Sequence, residues 1–405
     1  MPRVALVLTR LNVGGPATQV AIVADHLPER GYVARLFHGQ LSAGEGDMSY
    51  LFAPSIDREP IAGLRREVAP LDDLRALWQT YRAFCRLRPA VVHTHTAKAG
   101  TIGRLAALGY NLTIGREHPA GIAHTYHGHV FEGYFGSLST RIFLAIERWL
   151  ARHTDIVVAI APAVARDLVE TFAVAPVERV RVVPLGLDLA PFAAVDDNAR
   201  RSARAALGVA PGRLVVTTAG RLTDIKRHDL FLEMAAAIRR RRADVDFLIA
   251  GDGELRATLE AQAAALGLGE AVRFLGWRKD LATLYGATDL FVLTSRNEGT
   301  PVALMEAMAT AVPGISTDVG GVRDVITGPE RGVLVPFGSG QALADAALSL
   351  LEAPERRHAM GAAARADVVA RFGLDRLLDN TVALYDDLRA ASAQRVRGEN
   401  PSPVK

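Results

Sequence analysis

Short apolar runs alternate with amphipathic helical stretches along this chain, and the series is played through twice. Such alternation predicts β-α-β units and mostly parallel sheets, which makes the fold α/β. In the first half the apolar runs fall near 4–9, 33–38, 91–96, 121–126, 155–160 and 180–183. After Pro184-Leu185-Gly186-Leu187-Asp188 the chain turns polar at Asp196-Asp197-Asn198-Ala199-Arg200-Arg201. A second series opens at Leu214-Val215-Val216-Thr217-Thr218 and continues near 245–250, 271–275, 289–293 and 313–316. The reading is therefore a domain over 1–192, a linker over 193–204, a second domain over 205–373, a helix over 374–392 and a disordered tail over 393–405. Each sheet should take ligand at the carboxyl ends of its strands, so two facing sheets would form a cleft lined by loops of both.

Composition narrows the classes. Apolar residues make up 49% and charged residues 22%, which excludes long disorder, collagen and a disulfide scaffold. The 47 basic residues exceed the 44 acidic ones by three, too small a margin to imply a nucleic-acid partner. The lone Cys85 allows neither an internal disulfide nor a multi-cysteine zinc site, in agreement with a reducing compartment. The first apolar run is too short for a signal-peptide core, and no run nears the roughly 18 to 20 residues of a membrane span. A cytoplasmic protein is expected, with peripheral membrane contact open.

The strongest chemical signal is Asn297-Glu298-Gly299-Thr300-Pro301-Val302-Ala303-Leu304-Met305-Glu306, which follows the run Leu290-Phe291-Val292-Leu293. Glu298 then sits on a strand-to-helix loop, Thr300 is a plausible N-cap and Pro301 fits the first helical position. The helix N-terminus favours an anion, and carboxylates beside it make sense as acceptors for sugar and ribose hydroxyls. Alternatively, the two are a capping Glu and a helix-face Glu. A second signal, Gly220-Arg221-Leu222-Thr223-Asp224-Ile225-Lys226-Arg227, follows the strand ending at Thr218. Its cations could grip a diphosphate. The alternative is a solvated basic turn.

Near the start, Gly14 and Gly15 follow the first strand and open a helix, where backbone can approach phosphate closely. The pair lacks G-x-G-x-x-G spacing, and no P-loop motif occurs, so a nicotinamide dehydrogenase and a P-loop ATPase lose ground. Nine of the eleven histidines precede residue 193. His93 and His95 share a strand face, and hydrogen-bonding or core roles are preferred to zinc binding. His127, at a strand end, is the histidine best placed to touch a substrate. Asp244-Val245-Asp246 matches a metal-binding D-x-D formally, but it precedes its strand and so lies at the wrong end of the sheet. The segment from Thr140 to Arg152 sets Ile142, Ile146 and Trp149 near one face with Arg141, Arg148 and Arg152 around it. That face could rest on an anionic bilayer or pack on its own sheet.

Together these residues resemble the family 4 retaining glycosyltransferases, whose GT-B fold has two facing Rossmann-like domains, over roughly residues 3–390. The most specific part is the E-x7-E pair of Glu298 and Glu306. The resemblance implies that Glu298 contacts the donor sugar, with Gly299, Thr300 and Pro301 beside it, and that Glu306 holds the ribose. Arg221 and Lys226 would bind the donor diphosphate, the Gly14-Gly15 loop would close over it, and His127 would lie near the transferred sugar. Trp277 and Arg278 would flank the base, and the last helix would cross back onto the first domain. Arg227 departs from the family, where glycine is common, as does Leu185. His93 to Gly100 and His127 to Phe135 look like those of bacterial enzymes building cell-surface polysaccharides.

The expectation is a retaining, metal-independent glycosyltransferase with no cofactor. It would move a hexosyl or N-acetylhexosaminyl group from a nucleotide sugar to a hydroxyl acceptor, a lipid-linked or cell-surface glycan precursor, at the inner face of the cell membrane. The alternative is a nucleotide-sugar epimerase of related two-domain fold.

Overall fold

The computed structural model describes residues 1–12, 15–41, 47–65, 67–127 and 137–397. Chain contacts divide it into two units, Met1–Leu187 with Leu374–Lys405, and Asp188–Gly373.

The first unit holds a seven-stranded sheet of β1 (Arg3–Leu8), β2 (Val33–His38), β3 (Asp57–Pro60), β4 (Val91–His95), β5 (Gly121–Tyr126), β6 (Ile156–Ala159) and β7 (Val180–Val182). Their spatial order is β3-β2-β1-β4-β5-β6-β7, every neighbouring pair parallel. β1, β4 and β5 are buried along nearly their whole length, as strands covered on both faces must be. One face is covered by the helices Gly15–His26 and Leu374–Val396, through Val20, Val23, Leu377, Leu384 and Leu388. The other carries Pro70–Leu87 and Ala97–Leu112, through Phe84, Ile102 and Tyr110. The terminal helix sits close because Gly121 has no side chain: a Cβ there would come 2.7 Å from that of Leu388.

The second unit holds β8 (Leu214–Ala219), β9 (Val245–Ala250), β10 (Val272–Gly276), β11 (Leu290–Leu293), β12 (Gly314–Thr317) and β13 (Gly332–Val335). The order is β10-β9-β8-β11-β12-β13, again wholly parallel. Both units are thus Rossmann-like α/β layers.

Three expectations change. The stretch expected as a linker over 193–204 contains the helix Asp197–Ala206, capped by Asp196 accepting from Ala199 N at 2.7 Å, with Arg200 and Arg204 tied to Asp289. Its polarity marks a surface helix. The last helix runs to Val396, so 393–396 are helical where a tail was expected, while 398–405 lie outside the described residues. β3 and β13 join the sheets as edge strands. β3 reads Asp-Arg-Glu-Pro, polar enough for an edge and ended by a residue that cannot donate to a ladder.

Candidate active site

In the second unit the strand order reverses between β8 and β11, leaving a crevice outside their carboxyl ends. The loop after β8 carries Arg221 and Lys226, and the loop after β11 carries Glu298. These loops are bonded to one another. Arg296 N donates to Ile225 O at 2.8 Å, Thr294 Oγ1 to Lys226 O at 2.9 Å, and Thr317 Oγ1, from the end of β12, to Ser295 O at 2.7 Å. A third loop supports them from behind, where Gly321 N donates to Glu298 O at 2.8 Å. Only glycine fits there. Gly320 has φ +49°, its Cβ would lie 2.1 Å from Glu298 O, and a Cβ on Gly321 would lie 1.8 Å from Gly299 O.

Lys226 Nζ donates to Glu298 Oε1 at 2.7 Å, and the Ser295 hydroxyl donates to the same oxygen. The Glu298 side chain is 8% exposed and that of Lys226 25%, so solvent screens their attraction only in part. Among the described residues no donor meets Oε2. Arg221 is exposed, and among the described residues its guanidinium makes no hydrogen bond or ion pair. It is a cation held at a strand end with its donors unused. Arg227 has φ +50°, a left-handed conformation that glycine would adopt without strain, and grips Asp229 through Nε at 2.9 Å and Nη2 at 2.7 Å.

The helix after Glu298 spans Val302–Ala309. Pro301 precedes it as the cap and does not occupy the first helical position, because its carbonyl accepts the opening bonds from Leu304 N and Met305 N. Thr300 contributes no side-chain cap. Glu306 lies within this helix, where burial raises its carboxyl from 4.5 to about 7, and the Tyr285 hydroxyl, donating to Oε2 at 3.3 Å, opposes part of that rise. Trp277 and Arg278 follow β10 at the same end of the sheet. Trp277 is 65% exposed; Arg278 pairs with Asp280 and keeps a buried Nε with no partner. Neither bonds to Lys226, Glu298 or Glu306 among the described residues.

In the first unit the reversal lies between β1 and β4. Gly15 is exposed at the start of its helix; Gly14 and the loop Phe131 to Phe135 lie outside the described residues. His127 directly follows β5, its Nε2 hydrogen-bonded to His95 Nδ1 at 3.0 Å. His93 bonds Tyr385 through Nδ1 at 2.8 Å and Thr125 through Nε2 at 2.7 Å. Burial holds both His93 and His127 down to about 3, so each is a neutral imidazole near pH 7. No group of three His, Cys, Asp or Glu side chains among the described residues is disposed to hold a metal ion. The D-x-D carboxylates precede β9 or begin it, and each is matched by an arginine: Asp244 by Arg242 at 2.7 Å and Asp246 by Arg213 at 2.6 Å.

Sequence reasoning missed Ser295, Tyr285 and the Gly320-Gly321 pair. The glycine doublet in the loop after β12 was a legible signal; the hydroxyls of Ser295 and Tyr285 carried none. Of the helix Ser137–Arg152, Ile142, Ile146 and Trp149 are exposed, while Leu150 and Glu147 face inward. No helix among the described residues is long and apolar enough to cross a membrane.

Comparison with known proteins finds similar sequences and similar folds. The family described as Glycosyltransferase Family 4 matches residues 13–191, and that described as Glycosyl transferases group 1 matches residues 199–367. A D-inositol 3-phosphate glycosyltransferase of Geodermatophilus obscurus is 30% identical over 96% of this chain and 88% of its own. The Escherichia coli UDP-Gal:alpha-D-GlcNAc-diphosphoundecaprenol alpha-1,3-galactosyltransferase is 26% identical over 80% of this chain and 82% of its own. Among solved structures, a Rickettsia africae glycosyltransferase superposes with TM-score 0.80 at 19% identity, covering 96% of this chain and 98% of its own. Anabaena Alr3699/HepE in complex with UDP and glucose gives 0.77 at 20% identity, covering 95% and 100%.

Proposed function

The chain belongs to the family 4 glycosyltransferases of GT-B fold, and from that premise we propose that it is a retaining, metal-independent enzyme acting on a lipid-linked or cell-surface glycan precursor at the inner face of the cell membrane. The observation that carries the reading is the charge arrangement at the β8/β11 reversal: among the described residues Arg221 has no side-chain partner and the Lys226 ammonium meets Glu298.

The nucleotide-sugar diphosphate lies against Arg221 and Lys226. As the bond from the anomeric carbon to the phosphate oxygen stretches, negative charge grows on the leaving diphosphate, and these two cations stabilise it without a metal ion. A phosphate oxygen replaces Glu298 at Lys226 Nζ, and Glu298 then accepts a hydroxyl of the donor sugar. Glu306 accepts from the ribose. Trp277 and Arg278 flank the base, Gly14 and Gly15 approach the donor, and His127 meets the transferred sugar as a neutral imidazole. No carboxylate is assigned as a nucleophile on the far sugar face, so the acceptor hydroxyl attacks from the side the diphosphate leaves, which preserves the anomeric configuration. The hydroxyl proton passes to the departing phosphate oxygen.

The lipid-linked acceptor is supported by the name of the Escherichia coli relative, whose acceptor is a diphosphoundecaprenol. Membrane contact is supported by exposed Ile142, Ile146 and Trp149 among Arg141, Arg148 and Arg152. The test is incubation with UDP- and GDP-linked hexoses and N-acetylhexosamines together with a polyprenyl-diphosphate sugar, the product's anomeric configuration being read by NMR. A retained linkage on the lipid is expected. An inverted linkage, modification of soluble acceptors only, or epimerised nucleotide sugar from donor alone overturns the reading.

A further inference from the structure

A second exposed apolar surface of the first unit lies away from the helix just named. Val68 precedes the helix Pro70–Leu87, and Leu71, Leu74 and Trp78 follow on it at helical spacing, 84%, 63% and 59% exposed for the last three. Three- and four-residue steps put Leu71, Leu74, Trp78 and Tyr81 on one stripe. The Trp78 and Tyr81 rings stack with centroids 5.6 Å apart. Tyr81 OH is hydrogen-bonded to Thr113 Oγ1 at 3.0 Å, and the two residues flanking Thr113, Leu112 and Ile114, are exposed as well.

Arginines line this stripe. From Leu74 to Arg88 the sequence carries Arg75, Arg82, Arg86 and Arg88 and no acid. Arg75, Arg82 and Arg86 fall beside the apolar stripe, all exposed. Arg86 pairs with Glu59, but among the described residues Arg75 and Arg82 have no acidic partner. The acids of this helix, Asp72 and Asp73, lie in its first turn, and Asp73 is matched by Lys98. The helix packs along Ala97–Leu112, which is joined on its other side to Ser137–Arg152 by the Arg104–Glu147 pair, so two apolar-basic stripes flank one helix.

We infer that the helix Pro70–Leu87 is the principal docking surface of this protein for an anionic phospholipid bilayer, with Leu71, Leu74, Trp78 and Tyr81 entering the interface and Arg75, Arg82 and Arg86 meeting phosphates. Charge complementarity selects this occupant. A folded protein partner would need acids matched to arginines on separate helices, whereas a lipid surface offers phosphate at every point and a boundary where Trp and Tyr rings are at home. The inference rests on the proposed membrane contact and gives it a definite surface; the transfer chemistry does not enter.

The test is co-sedimentation of the full chain with vesicles of phosphatidylcholine, alone or mixed equally with phosphatidylglycerol. Binding to the mixed vesicles should exceed binding to phosphatidylcholine by about tenfold or more and weaken as salt is raised. Arg75→Glu with Arg82→Glu, and separately Leu74→Ser with Trp78→Ser, should each remove most of it, while the circular-dichroism melting curve is unchanged because these side chains are exposed. In a chain bearing Trp149→Phe and Trp277→Phe, the emission of Trp78 should shift to the blue on vesicle addition. Loss of binding only with Ile142→Ser and Trp149→Ser leaves membrane contact standing and removes this surface. No binding by the wild type removes both. A concentration-dependent dimer by light scattering, abolished by Leu74→Ser with Trp78→Ser and with no vesicle binding, identifies a second copy as the occupant and overturns the inference.

Discussion

Lys226 and Glu298 neutralise each other across two loops that leave adjacent strands, with 2.7 Å between Nζ and Oε1. Arg221, five residues before Lys226 on the same loop, has no such partner among the described residues. The two cations therefore differ in what their loss does to the protein. Removing Lys226 leaves a largely buried carboxylate without its cation, whereas removing Arg221 leaves nothing behind.

Lys226→Ala should lower both transfer and thermal stability, and Arg221→Ala should lower transfer alone. Each cation facing a leaving diphosphate accounts for about 2.7 to 4 kcal/mol, or a loss of about 10²- to 10³-fold in kcat. Glu298→Gln should fall in the same range with its fold retained. Initial rates and melting curves for the three variants decide the matter; wild-type rates in all of them would sink the site.

Glu306 ties stability to pH in the direction opposite to most carboxylates. Its folded value, about 7, lies above the unfolded value of 4.5, so the stability it contributes is present below pH 4.5 and lost as pH rises through 7. Over that window the loss amounts to about 3 kcal/mol. Glu306→Gln should thus become more stable relative to wild type as pH rises from 5 to 8 in urea titrations. If the carboxylate accepts from ribose, the affinity for UDP should rise over the same window in wild type and stay flat in the variant.

Much of the fold was legible because buried parallel strands leave short apolar runs, and Leu214–Ala219 or Leu290–Leu293 could hardly be anything else. β3 left no such trace, since an edge strand needs no apolar face. The acidic pair and the two cations could be read from residue type and loop position. Their partners could not, because nothing in the spacing of Ser295 or Tyr285 says that its hydroxyl meets a carboxylate brought from elsewhere in the chain. The stripe of Leu71, Leu74 and Trp78 was present in the sequence at helical period, but only exposure separates it from the core stripe of the same helix, Ala76, Ala83 and Phe84.

The histidines of the first unit should make the protein acid-sensitive. His93 and His127 are held at about 3, below the unfolded value of 6.5. Below pH 6.5 the unfolded chain takes up protons that the folded chain refuses, so this stability is present above 6.5 and is lost as pH falls toward 3, by about 1.4 kcal/mol per pH unit for each histidine. His93→Gln should flatten the slope of unfolding free energy against pH between 4.5 and 6.5. An equal slope in variant and wild type would show that His93 is not buried neutral.

Both carboxylates of the D-x-D sequence are engaged by arginines at the amino end of β9. Transfer is therefore expected to survive EDTA, and Asp244→Asn should leave the rate unchanged. Complete loss in EDTA, restored by Mg²⁺ or Mn²⁺, would return the metal-binding reading of this sequence to the front.

The pair Arg104 and Glu147 is the most deeply buried ion pair described, 1% and 0% exposed, with Nη2 and Oε2 at 2.7 Å and the Tyr126 hydroxyl donating to the same carboxylate oxygen. Arg104 Nη1 and Glu147 Oε1 are buried with no partner. Desolvation of two charges, incompletely repaid by hydrogen bonds, makes the pair a poor source of net stability but an expensive one to break. Glu147→Ala should cost about 3 to 5 kcal/mol, because Arg104 is then left charged in a dry site, while Arg104→Met with Glu147→Leu should be near neutral. Equilibrium unfolding of the single and double variants measures the difference. A double variant as unstable as Glu147→Ala would mean that the two charges do more than compensate each other, and that they hold the helix Ser137–Arg152 in a position that apolar packing alone cannot reproduce.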